Sequence, residues 1–281
     1  QIQSILQKSK LNYSSLVVGI LSIIFLFPSA SQSESISRPF QEFGITDNNI
    51  FLYYEDYDAA IKFYDETLGF KPVLTIDTAR MYHIANNSYV TAVRGQAEKH
   101  NLSSNKPVTF ALVTDELDVW RCYLLKNNVT ILSDVKMEEA SMQQGFVALD
   151  PGGYYLNFLQ FKPHRKNRKL MSSLNDLKSV YVNPQGTRCG EQKLGVKATI
   201  ASFYYKDPKS IHKLYKKELG FKTVVKEKHA TIYKTSPSGF FRVVDGAHGF
   251  HKPIDDQALK KGAMMSFFTN DTVEGWFDFI R

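Results

Sequence analysis

Residues 53–70 read YYEDYDAAIKFYDETLGF, and residues 204–221 read YYKDPKSIHKLYKKELGF on the same plan without a gap. Each stretch predicts the end of a strand, then a helix that begins after a capping aspartate, Asp56 or Asp207. A glycine near the end of each stretch can take the left-handed conformation that ends a helix. Because the stretch recurs, we expect an architecture built from repeated units.

Apolar runs and turn signals around these helices predict βαβββ units. The first unit covers 49–95 and the second 108–162, and together they predict one complete domain at 46–163. Residues 197–281 follow the same plan and predict a second domain of the same type. Because the chain stops at Arg281 inside a predicted helix, we expect this second domain to be truncated at its C-terminus.

The N-terminus has the plan of a secretory signal peptide over residues 1–31. Lys8 and Lys10 precede an apolar run at 16–27, and small residues follow at 29–31. The run is shorter than the roughly 20 apolar residues that a membrane-spanning helix needs. We expect a secreted or periplasmic protein with no stable membrane span after cleavage, with an uncleaved N-terminal anchor as the alternative.

Composition limits the classes of partner. The chain has 281 residues, is 43% hydrophobic and carries a formal net charge of +7. This content supports packed cores and favours neutral or anionic partners over cationic ones. The sequence shows no arginine-rich helix, zinc finger or RNA-binding aromatic motif, so we expect no nucleic acid partner. An oligomer is left open.

The segment between the two predicted domains, 164–196, begins with a basic run and is interpreted as a solvated linker. A phosphate-binding or membrane-surface patch is the sharper alternative. Export would permit a disulfide between the two cysteines, Cys122 and Cys189. Because two cysteines do not make a disulfide framework, two free thiols are the favoured interpretation.

A resemblance to a known family rests on two motifs: Asp56-x6-Phe63-Tyr64-x3-Leu68-Gly69-Phe70 and Asp150-Pro151-Gly152-Gly153-Tyr154. At this separation the pair resembles the vicinal oxygen chelate (VOC) superfamily, which holds glyoxalase I, extradiol dioxygenases, and fosfomycin- and bleomycin-resistance proteins. The resemblance implies an α+β fold in which paired βαβββ modules form a curved, partly closed mixed sheet around a ligand cavity.

Metal-dependent members of this superfamily place His, Glu or Gln at four inward positions. The resemblance carries these positions onto Asn49, Thr91 or Ala92, Val108 and Asn157, and in the second domain onto Ile200, Arg242 or Val243, and Met264. Amides, a hydroxyl and aliphatic groups are poor ligands for a hard or borderline cation. We therefore expect no metal and no other cofactor at these positions.

The ligand-binding residues are predicted from strand alternation, because successive side chains point to opposite faces. They are Asn49, Phe51, Tyr53, Thr91, Tyr155 and Asn157. An aromatic pocket with two amides suits a flat organic ligand held by stacking and hydrogen bonds. The alternative is that the same aromatic side chains fill the interior as core. No catalytic residue is predicted.

The leading hypothesis is an exported protein that binds a small organic molecule, neutral or anionic, without a metal. The alternative is a metal-dependent enzyme of the glyoxalase or lyase, dioxygenase or thiol transferase type, and a third hypothesis is a structural or partner-binding role. His229, His248 and His251 lie near a loop with Asp245 nearby. They form a candidate metal site, although solvated loop histidines are more common.

Overall fold

The computed structural model describes residues 44–96, 99–100, 102, 106, 108–135, 142–248 and 262–270. The predicted signal peptide and His251 lie outside the described residues. Among the helices that are described, none is long and apolar enough to cross a membrane.

The first part of the chain contains β1 (Ile45–Tyr54), α1 (Tyr57–Lys62), β2 (Lys71–Ile76), β3 (Ala79–Ala85), β4 (Ser88–Arg94), β5 (Val108–Val113), α2 (Leu117–Lys126), β6 (Ile131–Val135), β7 (Gln143–Leu149) and β8 (Tyr155–Phe161). The second part contains α3 (Arg168–Asn175), β9 (Val180–Tyr181), β10 (Gly195–Val196), β11 (Ala198–Tyr205), α4 (Pro208–Lys213), β12 (Lys222–Lys226), β13 (Ala230–Lys234), β14 (Gly239–Asp245) and β15 (Ala263–Thr269). One π-helical turn extends α1 over Phe63–Thr67 and another extends α4 over Leu214–Glu218.

The strand–helix–three-strand order predicted for three parts of the chain is present at 45–94, 108–161 and 198–245. The predicted aspartate caps are also present. The side chain of Asp56 accepts a hydrogen bond from the backbone N–H of Ala59, and Asp207 accepts one from Lys209. These three stretches are called the first, second and third units below.

The start of α2 departs from the expected pattern. Asp115 does not cap this helix, which begins at Leu117 with Glu116 in the capping position and no side-chain cap.

The strands form two large mixed sheets, neither of them closed into a barrel, and one small ribbon. The five-stranded sheet has the order β15-β1-β4-β3-β2, and the eight-stranded sheet has the order β12-β13-β14-β11-β5-β8-β7-β6. The first unit therefore pairs with β15, and the second unit pairs with the third through β5 and β11. The first and second units, which are predicted to surround one cavity, lie in different sheets.

The helices α1 and α2 lie between the two large sheets. Side chains on the helix-covered faces of the first and second units form one shared core, which includes Tyr54, Tyr64 and Tyr82 together with Trp120 and Phe158. A second core joins the helix-covered side of the third unit to β15. Because both sheets turn their helix-covered faces toward shared cores, their opposite faces point away from each other.

The interpretation of segment 164–196 as a solvated linker is wrong for its first half, which contains a helix with buried side chains. A short 3-10 turn capped by His164 leads into α3, whose Leu170 and Leu174 are buried. The cationic side chains of Arg168 and Lys169 are exposed. The basic run thus forms the solvated side of an amphipathic helix, and its leucines pack on the eight-stranded sheet.

The prediction of two free thiols is wrong, because Cys122 and Cys189 form a disulfide across a sequence separation of 67. The second half of segment 164–196 folds back along α2. The Trp120 indole N–H donates to the carbonyl of Gly195 at 3.0 Å. The Tyr123 hydroxyl accepts from the backbone N–H of Gly186 at 3.2 Å. This packing brings the two cysteines together, which spacing in the sequence could not show.

Candidate functional site

Each sheet has one face that is turned away from its helices. We call the side of the five-stranded sheet opposite α1 face A. We call the side of the eight-stranded sheet opposite α2 and α4 face B. The predicted ligand-binding residues lie on these two faces, as the alternation of core and non-core side chains along β1, β4 and β8 shows.

Face A carries four of the predicted residues: Asn49, Phe51, Tyr53 and Thr91. The Thr91 hydroxyl donates to Asn49 Oδ1 at 3.0 Å, and Asn49 Nδ2 is buried with no partner among the described groups. Asn49 is fully buried, whereas Phe51 beside it is half-buried. The His100 ring stacks on Tyr53 at 4.0 Å, and burial raises the pKa of Tyr53 to about 12.

The same face is bordered by half-buried apolar and aromatic side chains that share its strand register: Met81, Tyr89, Met264 and Phe268. Face A is therefore an aromatic and thioether surface above one buried amide–hydroxyl pair.

Face B carries the other two predicted residues, Tyr155 and Asn157. Strand register defines a row across the sheet from β14 to β8 that consists of Arg242, Ser202, Thr109 and Tyr155. The next row consists of Phe240, Ile200, Ala111, Asn157 and Val147. Side chains directly opposite each other on neighbouring strands lie about 5 Å apart, so the first row is a continuous polar strip.

Arg242 shows that the eight-stranded sheet is curved. Its Nη2 donates to Gln143 Oε1 at 3.2 Å, although Gln143 is on β7 and four strand steps separate it from β14. Four steps on a flat sheet would span about 19 Å, which is further than the two side chains reach together. The sheet must therefore bend around face B, and the Arg242–Gln143 hydrogen bond crosses the hollow.

Tyr204 adds a second aromatic group to the polar strip. Its hydroxyl lies 2.9 Å from the Thr109 hydroxyl, and the side chain is almost fully buried. Burial raises the pKa of Tyr204, while the Thr109 hydrogen bond and the nearby charge of Arg242 act in the opposite direction. The hydroxyl is therefore neutral near pH 7 and can serve as a hydrogen-bonding group.

Two of the eight unpartnered buried polar atoms among the described residues lie on face B. Asn157 Oδ1 and Arg242 Nε are both buried and have no hydrogen-bond partner among the described residues. Buried polar groups are nearly always hydrogen-bonded in native proteins, so an orphaned acceptor and an orphaned cationic donor on one face point to missing polar partners. Water or a bound molecule would supply them without rearranging the described strands.

One end of face B is closed by α3. Leu170 and Leu174 pack in one apolar cluster with Val113, Leu159 and Ala198, which form the next row of the sheet. The polar strip is therefore bounded by an apolar wall, and the helix that forms this wall lies in the segment that the sequence identified as a linker.

The positions that hold a metal in VOC enzymes do not fit one here. The structure corrects Val108, which faces the helix-covered core, to Thr109 on face B. Face B then presents Thr109, Asn157, Ile200 and the cation Arg242 at these positions. Imidazole and carboxylate ligands are what a borderline divalent ion requires, and a guanidinium repels it.

The six predicted ligand-binding residues are thus not brought together, because β1 pairs with β15 and β5 pairs with β11. Arg242, Tyr204 and Thr109 are the residues of face B that the prediction did not include in the ligand pocket. Strand alternation could have identified them once the strand partners were known. Tyr204 points to the same face as Ile200 on β11, and Thr109 and Arg242 lie on strands paired with β11 and point to that face too.

A surface cleft of about 580 Å³ lies elsewhere. It is lined by the start of α2 and by the β9–β10 ribbon, including Asp115, Asp118 and Tyr181. No residue of the polar strip takes part in it.

The comparisons agree with the fold of the first two units. The model of the Glyoxalase/Bleomycin resistance protein/Dioxygenase superfamily matches residues 48–158. Residues 48–158 belong to this superfamily. The glyoxalase-type domain therefore includes the whole of the second unit's helix and most of β8, whereas β11 and Arg242 lie outside the matched residues.

Solved structures that are similar to part of this chain include lactoylglutathione lyase from Agrobacterium tumefaciens, which is 16% identical, covers 41% of this chain and 96% of its own, and has a TM-score of 0.35. A glyoxalase/bleomycin resistance protein from Catenulispora acidiphila is 16% identical over 42% of this chain and 99% of its own, with a TM-score of 0.34. The corresponding protein from Alicyclobacillus acidocaldarius is 15% identical over 41% and 90%, with a TM-score of 0.36. No curated protein sequence matches the chain.

The two motifs of the glyoxalase-type domain meet at Asp150. Its carboxylate accepts from the hydroxyl of Tyr54 at 2.7 Å and from that of Tyr64 at 3.3 Å. It also accepts from the backbone N–H groups of Gly152 and Tyr154. The Asp-Pro-Gly-Gly turn of the second unit is thereby fixed to the strand and helix of the first, across the core that the two sheets share.

Proposed function

We propose that this protein binds a small organic molecule, neutral or anionic, on face B without a metal ion at that site. The observation that carries the proposal is Arg242, a cationic side chain in a curved sheet, with an unpartnered Nε among the described residues and Asn157 Oδ1 similarly orphaned. An anionic or hydrogen-bonding ligand would satisfy both atoms.

The charge of Arg242 selects the ligand class. A guanidinium presents several N–H donors in one plane and matches a carboxylate or phosphate in a bidentate pair. The net charge of +7 acts in the same direction, because it favours the approach of anions. A carboxylate on the ligand would compete with Gln143 Oε1 for the same guanidinium group.

The aromatic groups of face B supply apolar contact. Tyr155 is half-buried beside Thr109, and Tyr204 lies on the same strip. Planar ligands bind well where an aromatic side chain offers a ring surface and a few fixed polar groups set the orientation. We therefore favour a ligand with one aromatic ring and one carboxylate.

Binding is favoured over catalysis by the chemistry of the strip. Among its described residues, Tyr204 has a raised pKa and would not act as a base near neutral pH. The alternative of a metal-dependent enzyme would need ligands that Thr109, Asn157 and Arg242 do not provide. The aromatic surface of face A, with Asn49, Phe51, Tyr53 and Thr91, stays a prediction as a second binding surface.

A thermal-shift screen of aromatic carboxylates against the chelator-treated protein, followed by calorimetry on the hits, tests the proposal. We expect Arg242→Gln to weaken binding of a carboxylate at least tenfold, since a charged hydrogen bond contributes about 1.5–3 kcal/mol. The same substitution should weaken the matching primary amide far less. Arg94→Gln, on the exposed end of β4, is the control that removes equal charge outside the sheet hollow.

Phe51→Ala distinguishes the two faces. It should leave the affinity unchanged if the ligand lies on face B. Binding that survives Arg242→Gln, or that Phe51→Ala abolishes, would reject face B as the site. Binding that requires an added divalent ion would reject the metal-free proposal.

We also propose that the protein is exported, as the N-terminal sequence suggests. The Cys122–Cys189 disulfide supports this, because structural disulfides persist in oxidising compartments. N-terminal sequencing of protein recovered outside the cytoplasm should begin near residue 31. A start within the first few residues would favour the uncleaved anchor.

A further inference from the structure

We propose that His229, Asp245 and His248 form a binding site for a borderline divalent cation such as Zn²⁺. The site lies at the end of the third unit and is separate from face B. It rests on the clustering of two imidazoles and one carboxylate whose ligand atoms lie within 4.8 Å of one another.

The backbone positions all three side chains. His229 precedes β13, Asp245 ends β14, and His248 ends the 3-10 turn that follows. The backbone N–H of Asp245 donates to the carbonyl of His229 at 2.8 Å, so the two chain segments are fixed side by side. The site is thus supported by a paired hairpin rather than by a long loop.

The carboxylate is oriented toward the histidines. Asp245 Oδ1 accepts from the backbone N–H of Ala247 at 3.1 Å, which leaves Oδ2 facing the two rings. Oδ2 lies 3.1 Å from His248 Nδ1 and 3.7 Å from His229 Nδ1. The two rings stack with centroids 3.6 Å apart, so both Nδ1 atoms are on the same side of the cluster.

The donor set fits the proposed ion. Imidazole and carboxylate bind Zn²⁺ at about 2.0–2.2 Å, which places neighbouring ligand atoms of a tetrahedral site about 3.3 Å apart. The ligand atoms lie within 4.8 Å of one another, and side-chain rotation that turns the two stacked ring planes toward a common point would bring them to that spacing. The three side chains are 29–50% exposed, so an ion has access from solvent and a fourth position remains for water.

Calorimetric titration of the tag-free full chain with ZnCl₂ tests the site. We expect one equivalent to bind, and we expect His248→Ala and Asp245→Asn each to weaken that binding at least about tenfold, since even changes behind the ligands cost 10–100-fold. His212→Ala removes a histidine that hydrogen-bonds with the Tyr233 hydroxyl and is not one of the three cluster residues. It should bind as the unchanged protein does.

Histidine ring NMR supplies a second readout that does not depend on affinity. Added Zn²⁺ should shift the ring signals lost in His229→Ala and His248→Ala, and no others at one equivalent. The proposal is overturned if no ion binds, or if Zn²⁺ binds equally well to His248→Ala and Asp245→Asn. Because none of these variants alters Arg242, failure here leaves the face B experiment unaffected.

Discussion

Replacing Asp150 with asparagine should change how the stability of the protein depends on pH. Asp150 is 3% exposed and accepts hydrogen bonds from Tyr54, Tyr64 and two backbone amides. Burial raises the pKa of its carboxyl from the ordinary value of 3.8 to about 6, because the loss of hydration outweighs those hydrogen bonds.

The sign follows from proton binding. Below pH 4 both the folded and the unfolded chain keep this proton, so the contribution of the neutral carboxyl to stability is fully present. Between pH 4 and 6 the folded chain binds more protons at this site than the unfolded chain, and stability falls as the pH rises. A difference of about two pKa units corresponds to about 3 kcal/mol, lost by pH 7.

The assay is urea unfolding of the native protein and of Asp150→Asn between pH 4 and 7, with the disulfide intact. The difference in unfolding free energy between the two proteins cancels the other titrating groups. Relative to Asp150→Asn, the native protein should lose about 3 kcal/mol of unfolding free energy between pH 4 and 7. Asp118→Asn, at the exposed start of α2, is the control that removes a charge without removing a buried carboxyl. A difference that stays constant, or that moves in favour of the native protein, would refute the reasoning.

Three further predictions concern stability, each measured by urea unfolding. Reducing the Cys122–Cys189 disulfide should lower the unfolding free energy by about 4 kcal/mol, as expected for a closed loop of this length; a loss below about 1 kcal/mol would argue that the two segments stay associated without it. Gly69 has a positive φ, and an added Cβ would lie 2.3 Å from the backbone of Pro184, so Gly69→Ala should lower the unfolding free energy by about 3 kcal/mol. Gly190 has a similar φ but open space around it, so Gly190→Ala should lower it by about 1 kcal/mol. Equal costs would contradict the packing argument. Leu174→Ala should cost about 2–5 kcal/mol if α3 is part of the core, and a cost under about 0.5 kcal/mol would return the segment to the status of a solvated linker.

Local features of the fold could be predicted from the sequence because short-range chemistry determines them. The second unit begins with a strand at Val108 and ends with one at Phe161, close to the predicted bounds of 108–162. The caps at Asp56 and Asp207 follow from a carboxylate that satisfies free N–H groups at a helix start. In each case the deciding groups lie within a few residues of one another.

The pairing of the units could not be predicted in this way. The alternating pattern of β5 is the same whether its neighbour is β1 or β11, so strand order within a sheet leaves no local signal. The disulfide depends on a contact across 67 residues. The position predicted at Val108 lies on the helix-covered face, and Thr109 is on face B instead, because a shift of one residue turns a strand side chain to the other face.

The residues predicted to form one ligand pocket lie on two sheets, because strand pairing leaves no local signal in the sequence. Asn49 and Asn157 were predicted to share one pocket, yet they lie on faces A and B. The polar character of Asn157 was predictable, but its place on the same sheet face as Arg242 depends on the β5–β11 pairing.

A crystal structure of the protein with an aromatic carboxylate identified by the thermal-shift screen tests the central claim most directly. We expect density for the carboxylate within hydrogen-bonding distance of the Arg242 guanidinium, with the ring against Tyr155 or Tyr204 and no ion at Asn157. A ligand seated away from face B, or a metal ion coordinated by Thr109 or Asn157, would contradict the account.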